Sequence, residues 1–142
     1  MSTSSRMTVA THALTWMALV CSGRPGHIVT SDRIAASVNT NPVVIRRILG
    51  SLRDAGLVVS QRGQGAGWRL ARAPEAITLR DVYGAVEPDP LIALHAATPN
   101  QECPVARGLP PVLREAYGRA EEAMKAELAA VTVADVLRET VA

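Results

Sequence analysis

The sequence predicts a mainly α protein with one small β-hairpin, arranged as a winged helix-turn-helix followed by a long C-terminal helix. Three observations carry that expectation. Residues 30–72, TSDRIAASVNTNPVVIRRILGSLRDAGLVVSQRGQGAGWRLAR, read as a helix, a tight turn, a second helix and a glycine-punctuated hairpin. Arginine is concentrated there: residues 24–80 hold nine Arg against Asp32, Asp54 and Glu75, a net +6. Residues 81–142 hold five Lys and Arg against ten Asp and Glu, a net −5, so the overall +2 conceals a basic half and an acidic half. Such asymmetry points to a polyanion-binding module joined to something with another task.

At 142 residues the chain fits one domain with an appendage and is long enough to bury a real core. There is no Phe, and Trp16, Trp68, Tyr83 and Tyr117 are the whole aromatic complement, so that core must be aliphatic. Two cysteines, Cys21 and Cys103, cannot make a disulfide framework, and a reducing cytoplasm is the expected compartment. The expected organisation is a DNA-binding domain over 7–87, an irregular linker or sensor segment over 88–110, and a dimerisation helix with a short terminal helix over 111–142.

Arg6 followed by MTVATHALTWMALVCSG has the superficial look of a secretory leader. Thr8, Thr11, His12 and Thr15 interrupt it, while Met7, Ala10, Leu14, Met17 and Val20/Cys21 recur at helical spacing. An amphipathic first helix is therefore expected, and no membrane association. CSGRPG breaks that helix. Thr30 or Ser31 caps the second, whose stripe is Ile34, Ala35 and Val38. After the turn Asn39-Thr40-Asn41, the pair Asn41-Pro42 starts a third helix that ends at Gly56. Its apolar stripe is Val44, Ile45, Ile48, Leu49 and Leu52, leaving Val43, Arg46, Arg47, Gly50, Arg53 and Asp54 outward.

Leu57–Gln61 and Trp68–Arg72 read as strands joined by Arg62-Gly63-Gln64-Gly65-Ala66-Gly67, where glycine serves positive φ or close backbone approach. Thr78 with Asp81 caps a fourth helix. A proline-rich stretch follows. The long helix is expected from about Pro111 to Ala130, and Thr132 with Asp135 caps a last short one.

A helix that reads base edges needs short polar groups and long cations near its N-terminus. Asn39, Thr40 and Asn41 supply the first, with Pro42 and Val43 opening the helix; Arg46 and Arg47 supply the second. The bland alternative is a solvated helix face with incidental arginines. The hairpin discriminates: Arg62 at its tip suits a narrow minor groove, and Arg69 and Arg72 add phosphate contacts unless their strand points them elsewhere. A nucleotide loop would need a helix after the glycines and a Gly-Lys-Ser/Thr run, and Trp68-Arg69-Leu70 reads as a strand.

NPVVIRRILGSLRDAGLV, RGQGAGWRLAR and ITLRDVYGAVE together resemble the Rrf-two family of bacterial winged-helix transcription regulators, across roughly residues 7–140. His95, Pro99, Asn100 and Cys103-Pro104-Val105 resemble the subgroup without an iron–sulfur cluster. The resemblance implies a homodimer on double-stranded DNA, with Asn41, Pro42, Val43, Arg46 and Arg47 on the recognition helix and Arg62 on the wing. Ala66 departs from the family's usual glycine. Cluster-holding members use three cysteines before the long helix; here there is only Cys103, with Ala97 and Leu109 near the other positions. No cofactor or metal is expected, since His95 and Cys103 alone do not complete a zinc site.

Cys103 is read either as a small buried hydrophobe or as a redox sensor pairing with Cys21 or with its counterpart in a partner chain. The long helix carries Leu113, Tyr117, Ala120, Met124 and Leu128 for dimerisation, with packing inside its own chain as the alternative. The expected function is a homodimeric repressor on a palindromic operator, its effector unspecified. A winged-helix module that binds an acidic protein is the rival. A thiol-redox enzyme is disfavoured by the lack of a CxxC pair, and no catalytic centre is expected.

Overall fold

The computed structural model describes residues 4–24 and 26–142. In order these form α1 (Arg6–Val20), α2 (Ser31–Val38), α3 (Pro42–Asp54), β1 (Val58–Gln61), β2 (Gly67–Leu70), a 3₁₀ turn (Pro74–Ala76), α4 (Leu79–Val86), α5 (Pro104–Ala129) and α6 (Val133–Thr140). Pro25, part of the expected break after the first helix, lies outside the described residues. The chain divides into two compact units: one holds the described residues up to Pro88 together with Leu128–Ala142, the other is Asp89–Glu127.

The first unit is built around α1, on which α2, α3, α4 and α6 all pack. A one-sided amphipathic helix was the expectation. Instead Ala10, Ala13, Leu14, Thr15, Met17 and Ala18 are all buried, because neighbours cover more than one side. Thr15 tolerates this by donating its hydroxyl to the Thr11 carbonyl at 2.7 Å. Leu14, Met17, Ile34, Ile45, Leu49, Leu52, Leu57, Ile77, Val82 and Val133 form the fully enclosed aliphatic centre. No helix among the described residues is long and apolar enough to cross a membrane.

Local chemistry sets the helix ends. Thr30 caps α2, accepting from the Arg33 amide at 3.2 Å. Asn39, at φ 63°, turns the chain left-handed after α2, a conformation its short polar side chain tolerates. Asn41 Oδ1 accepts from the Val43 amide at 2.8 Å, and Pro42 opens α3 where no donor is needed. α3 closes with Gly56 at φ 79°, the Gly56 amide bonding Arg53 O and the Leu57 amide bonding Leu52 O. Reciprocal boxes close the starts of α4 and α6: Thr78 with Asp81, and Thr132 with Asp135.

β1 and β2 pair antiparallel, Val58 opposite Leu70 and Gln61 opposite Gly67. Val29, just before α2, adds a third rung through bonds to Trp68 at 2.8 and 2.7 Å. The three hairpin glycines do different work. Gly63 and Gly65 hold positive φ at the tip, whereas Gly67 is a close approach: a Cβ there would lie 2.5 Å from the Val29 carbonyl oxygen.

Two boundaries differ from expectation. α5 begins at Pro104 rather than Pro111 and runs through Pro110 and Pro111. Each ring removes one ladder donor, but α5 has no buried residue, so the freed carbonyls are not sealed from solvent. The residues after α5 group with the winged part rather than with a separate tail. The Leu79 amide bonds Val131 O, the Val133 amide bonds Ile77 O, both at 2.9 Å, and Val133 is fully buried.

The second unit is irregular up to its helix. Asn100 organises the lead-in, its side chain accepting from the Glu102 amide at 3.0 Å and its carbonyl from the Cys103 amide at 3.2 Å. Arg107 Nη1 donates to Gln101 O at 3.1 Å.

Candidate nucleic-acid interface

The buried face of α3 is Ile45, Ile48, Leu49 and Leu52, spaced as one helical stripe. Val44, expected in that stripe, is 39% exposed because it falls at the stripe's edge. Val43, Arg46, Arg47 and Arg53 occupy the solvent side, with Gly50 half-buried between them. A Cβ on Gly50 would meet only the Arg53 guanidinium, at 3.9 Å. Asn39, Thr40 and Asn41 form the turn at the N-terminal end of this face, as the spacing predicted.

The wing lies beside α3 through one stacked pair: the Arg53 guanidinium sits 5.9 Å from the Trp68 ring centre. Between them opens a groove of about 480 Å³ lined by Thr30 and Ser31 at the start of α2, Arg53 at the end of α3, and Ser60, Gln61 and Arg62 of the hairpin. Two guanidiniums and a helix N-terminus, where amides point outward, thus border one concave strip. Asp32 is the acidic residue in that first turn. No side chain among the described residues pairs with the guanidinium of Arg46, Arg47 or Arg62, so all three stay available to an external anion.

Arg69 stands apart. Successive strand residues face opposite ways. Trp68 faces Arg53, and Arg69 lines a different cavity with Cys21, His27 and Arg138. The expectation that Arg69 joins Arg62 in one reading surface therefore meets the pleat of the hairpin, which turns it away. Arg72 is committed to Asp81 at 3.6 Å. Arg53 and Ser31 are the residues sequence reasoning left out of the site. The Trp68 ring is the signal for Arg53, since a half-buried aromatic near a helix-end arginine invites stacking.

In the second unit Cys103 is half-buried at the entry to α5, and His95 is exposed in the irregular segment. Leu113, Tyr117 and Met124 are half-exposed on α5, Ala120 is exposed, and Leu128 is half-exposed in the first unit. The other thiol, Cys21, donates to His27 O at 3.5 Å, and burial pushes it above its usual 9.0 against a smaller lowering effect of Arg24.

Residues 3–139 match the Rrf2 (Rrf-two) family, described as an iron-dependent transcriptional regulator. YwnA of Bacillus subtilis (strain 168), named as an HTH-type transcriptional regulator, is 36% identical over 135 residues, 94% of this chain and 96% of YwnA. A crystal structure titled as a DNA-binding protein is 34% identical with a TM-score of 0.74, covering 94% of this chain and 99% of that one. IscR of T. potens shares the fold at 21% identity, with a TM-score of 0.69 over 99% of this chain and 88% of its own.

The iron in the family description meets an unsuitable donor set here. Among the described residues no three His, Cys, Asp or Glu side chains gather into a metal-holding group. The chain has two cysteines in all, Cys21 just after α1 and Cys103 at the entry to α5, one short of the three thiolates such a cluster uses. With its helix-turn-helix, hairpin wing and long C-terminal helix, the chain belongs to the Rrf2 family of transcriptional regulators.

Proposed function

We propose that this protein is a sequence-specific, homodimeric DNA-binding repressor that reads a palindromic operator through α3 and the hairpin wing. The observation that carries this reading is a set of arginines with no partner among the described residues, Arg46 and Arg47 on the solvent side of α3 and Arg62 on the wing. With them goes a groove bordered by Arg62, the α2 N-terminus and Arg53, which Asp54 holds at 3.5 Å. Asn39, Thr40 and Asn41 in the turn before α3, with Pro42 and Val43 in its first turn, would offer short side chains to bases and phosphates. Dimerisation is supported by α5, a 26-residue helix with no buried residue whose Leu113, Tyr117, Ala120 and Met124 recur at helical spacing. A second copy offers those side chains the burial that the isolated chain does not supply.

Two-fold symmetry places half-sites about 34 Å apart, or a multiple of that. The test is selection of bound genomic fragments, followed by anisotropy titration of the recovered duplex at several salt concentrations. The reading expects a palindromic consensus, two chains per duplex and affinity that falls steeply with salt. Binding to any duplex alike, or a salt-indifferent complex with another protein, overturns it. A thiol response is the second reading. It rests on Cys103, which is half-buried at the entry to α5, whereas burial disfavours the Cys21 thiolate. Loss of operator binding on oxidation, absent in Cys103→Ser, is its expected signature.

A further inference from the structure

The first unit holds a second cavity, of about 750 Å³, on the side of the hairpin away from the α3 groove. Its walls are the end of α1 at Ala18 and Cys21, the exit of β2 from Arg69 to Ala73, and one face of α6. The size suits a small organic molecule. One part of the lining is aliphatic, from Ala18, Leu70, Leu137 and Val141. The other part is cationic, from Arg69, Arg72 and Arg138 against the single carboxylate of Glu75, with the His27 imidazole beside them.

Those cations are not equivalent. Arg138 is held by Asp135 at 2.7 Å and Arg72 by Asp81 at 3.6 Å. Arg69 is half-buried in the wall and pairs with no carboxylate or carbonyl among the described residues. Glu75 is exposed, so water satisfies it without a partner. A half-buried guanidinium beside an apolar wall is complementary to an anionic head on an apolar body.

We infer that this cavity is a binding site for a small organic carboxylate, whose head pairs with Arg69 and whose body lies against Leu70, Leu137 and Val141. The site is argued independently of what the wing binds. Because β2 supplies one wall, an occupant would touch the strand that also carries Trp68.

Cys21 in the same lining is a built-in reporter. In full-length protein carrying Cys103→Ser, N-ethylmaleimide labels Cys21 alone, and its rate is read by mass spectrometry. Benzoate is the probe, benzamide its uncharged isostere, and inorganic phosphate a head without a body. The expected result is saturable protection by benzoate, reaching about tenfold at about ten times its dissociation constant. Benzamide and phosphate should protect little, and Arg69→Gln should abolish the benzoate effect while retaining the wild-type circular dichroism and Tm. Benzoate that leaves the rate unchanged up to its solubility limit overturns the proposal. Equal protection by benzamide or by phosphate, or protection that survives Arg69→Gln, also overturns it.

Discussion

The two compact units solve opposite problems. The winged unit encloses its side chains: α1 is covered by four helices, and ten or so aliphatic residues are sealed from solvent. Across Asp89–Glu127 not one residue is buried, although the segment contains most of the longest helix in the chain. A 26-residue helix with a stripe of Leu, Tyr and Met gains little from propensity alone, since packing of one face usually supplies most helical stability. The difference is one of enclosure: the first unit buries a core of its own, and the second, taken by itself, does not.

Substitutions on either side sharpen this contrast. Leu49→Ala in the closed core should cost about 3 kcal/mol of unfolding free energy, measured by urea denaturation. Leu113→Ala should behave differently. On the dimer proposed above it should raise the dimer dissociation constant, measured by analytical ultracentrifugation, with the circular dichroism unchanged. An unchanged dissociation constant for Leu113→Ala would break the comparison.

Within the basic unit, Arg47→Ala should weaken operator binding by about 2 kcal/mol and relax sequence preference. Arg62→Ala should act more evenly across sequences and lower the salt slope by about 1 if it touches one phosphate. Neither should move Tm appreciably, since both side chains are exposed and unpaired. Equal loss of stability would mean these arginines hold the fold rather than face a ligand.

The cap that ties the chain's end back to the winged unit is a smaller lever. Thr132→Ala should cost about 1 kcal/mol by opening the box at the start of α6. The smallest expected effect is its pH dependence. The Thr132 amide, followed by the Arg138 guanidinium and the Thr132 hydroxyl, holds the Asp135 carboxyl below its ordinary 3.8. The folded state therefore prefers the ionised form, and its contribution is complete above that ordinary value and is lost as pH falls through the lowered one. The Tm gap between wild type and Asp135→Asn should close as pH drops below 3.8. A gap that persists in acid would assign the effect to packing.

Much of this protein was legible residue by residue because the determining chemistry is local. Asn41-Pro42, Gly56, and the Thr-x-x-Asp pairs at 78 and 132 place helix ends by bonds spanning a few residues, and these stand where their spacing puts them. The alternation of Arg, Ile and Leu in α3 likewise sorted inward from outward, with Val44 the exception at the edge. What local pattern could not supply was which faces find neighbours. α1 looked one-sided and is enclosed on several, because four helices distant in sequence converge on it. Arg69 looked like a companion of Arg62, yet strand pairing and pleat turn it toward Cys21 and α6. Pro111 looked like the start of the long helix, but it and Pro110 lie inside a helix that begins at Pro104 and has no buried residue. The sequence by itself determined the elements, their caps and the arginine face, since those depend on neighbours along the chain. Only the tertiary structure decided burial, side-chain direction across the hairpin and the seating of α6, because each depends on residues tens of positions apart.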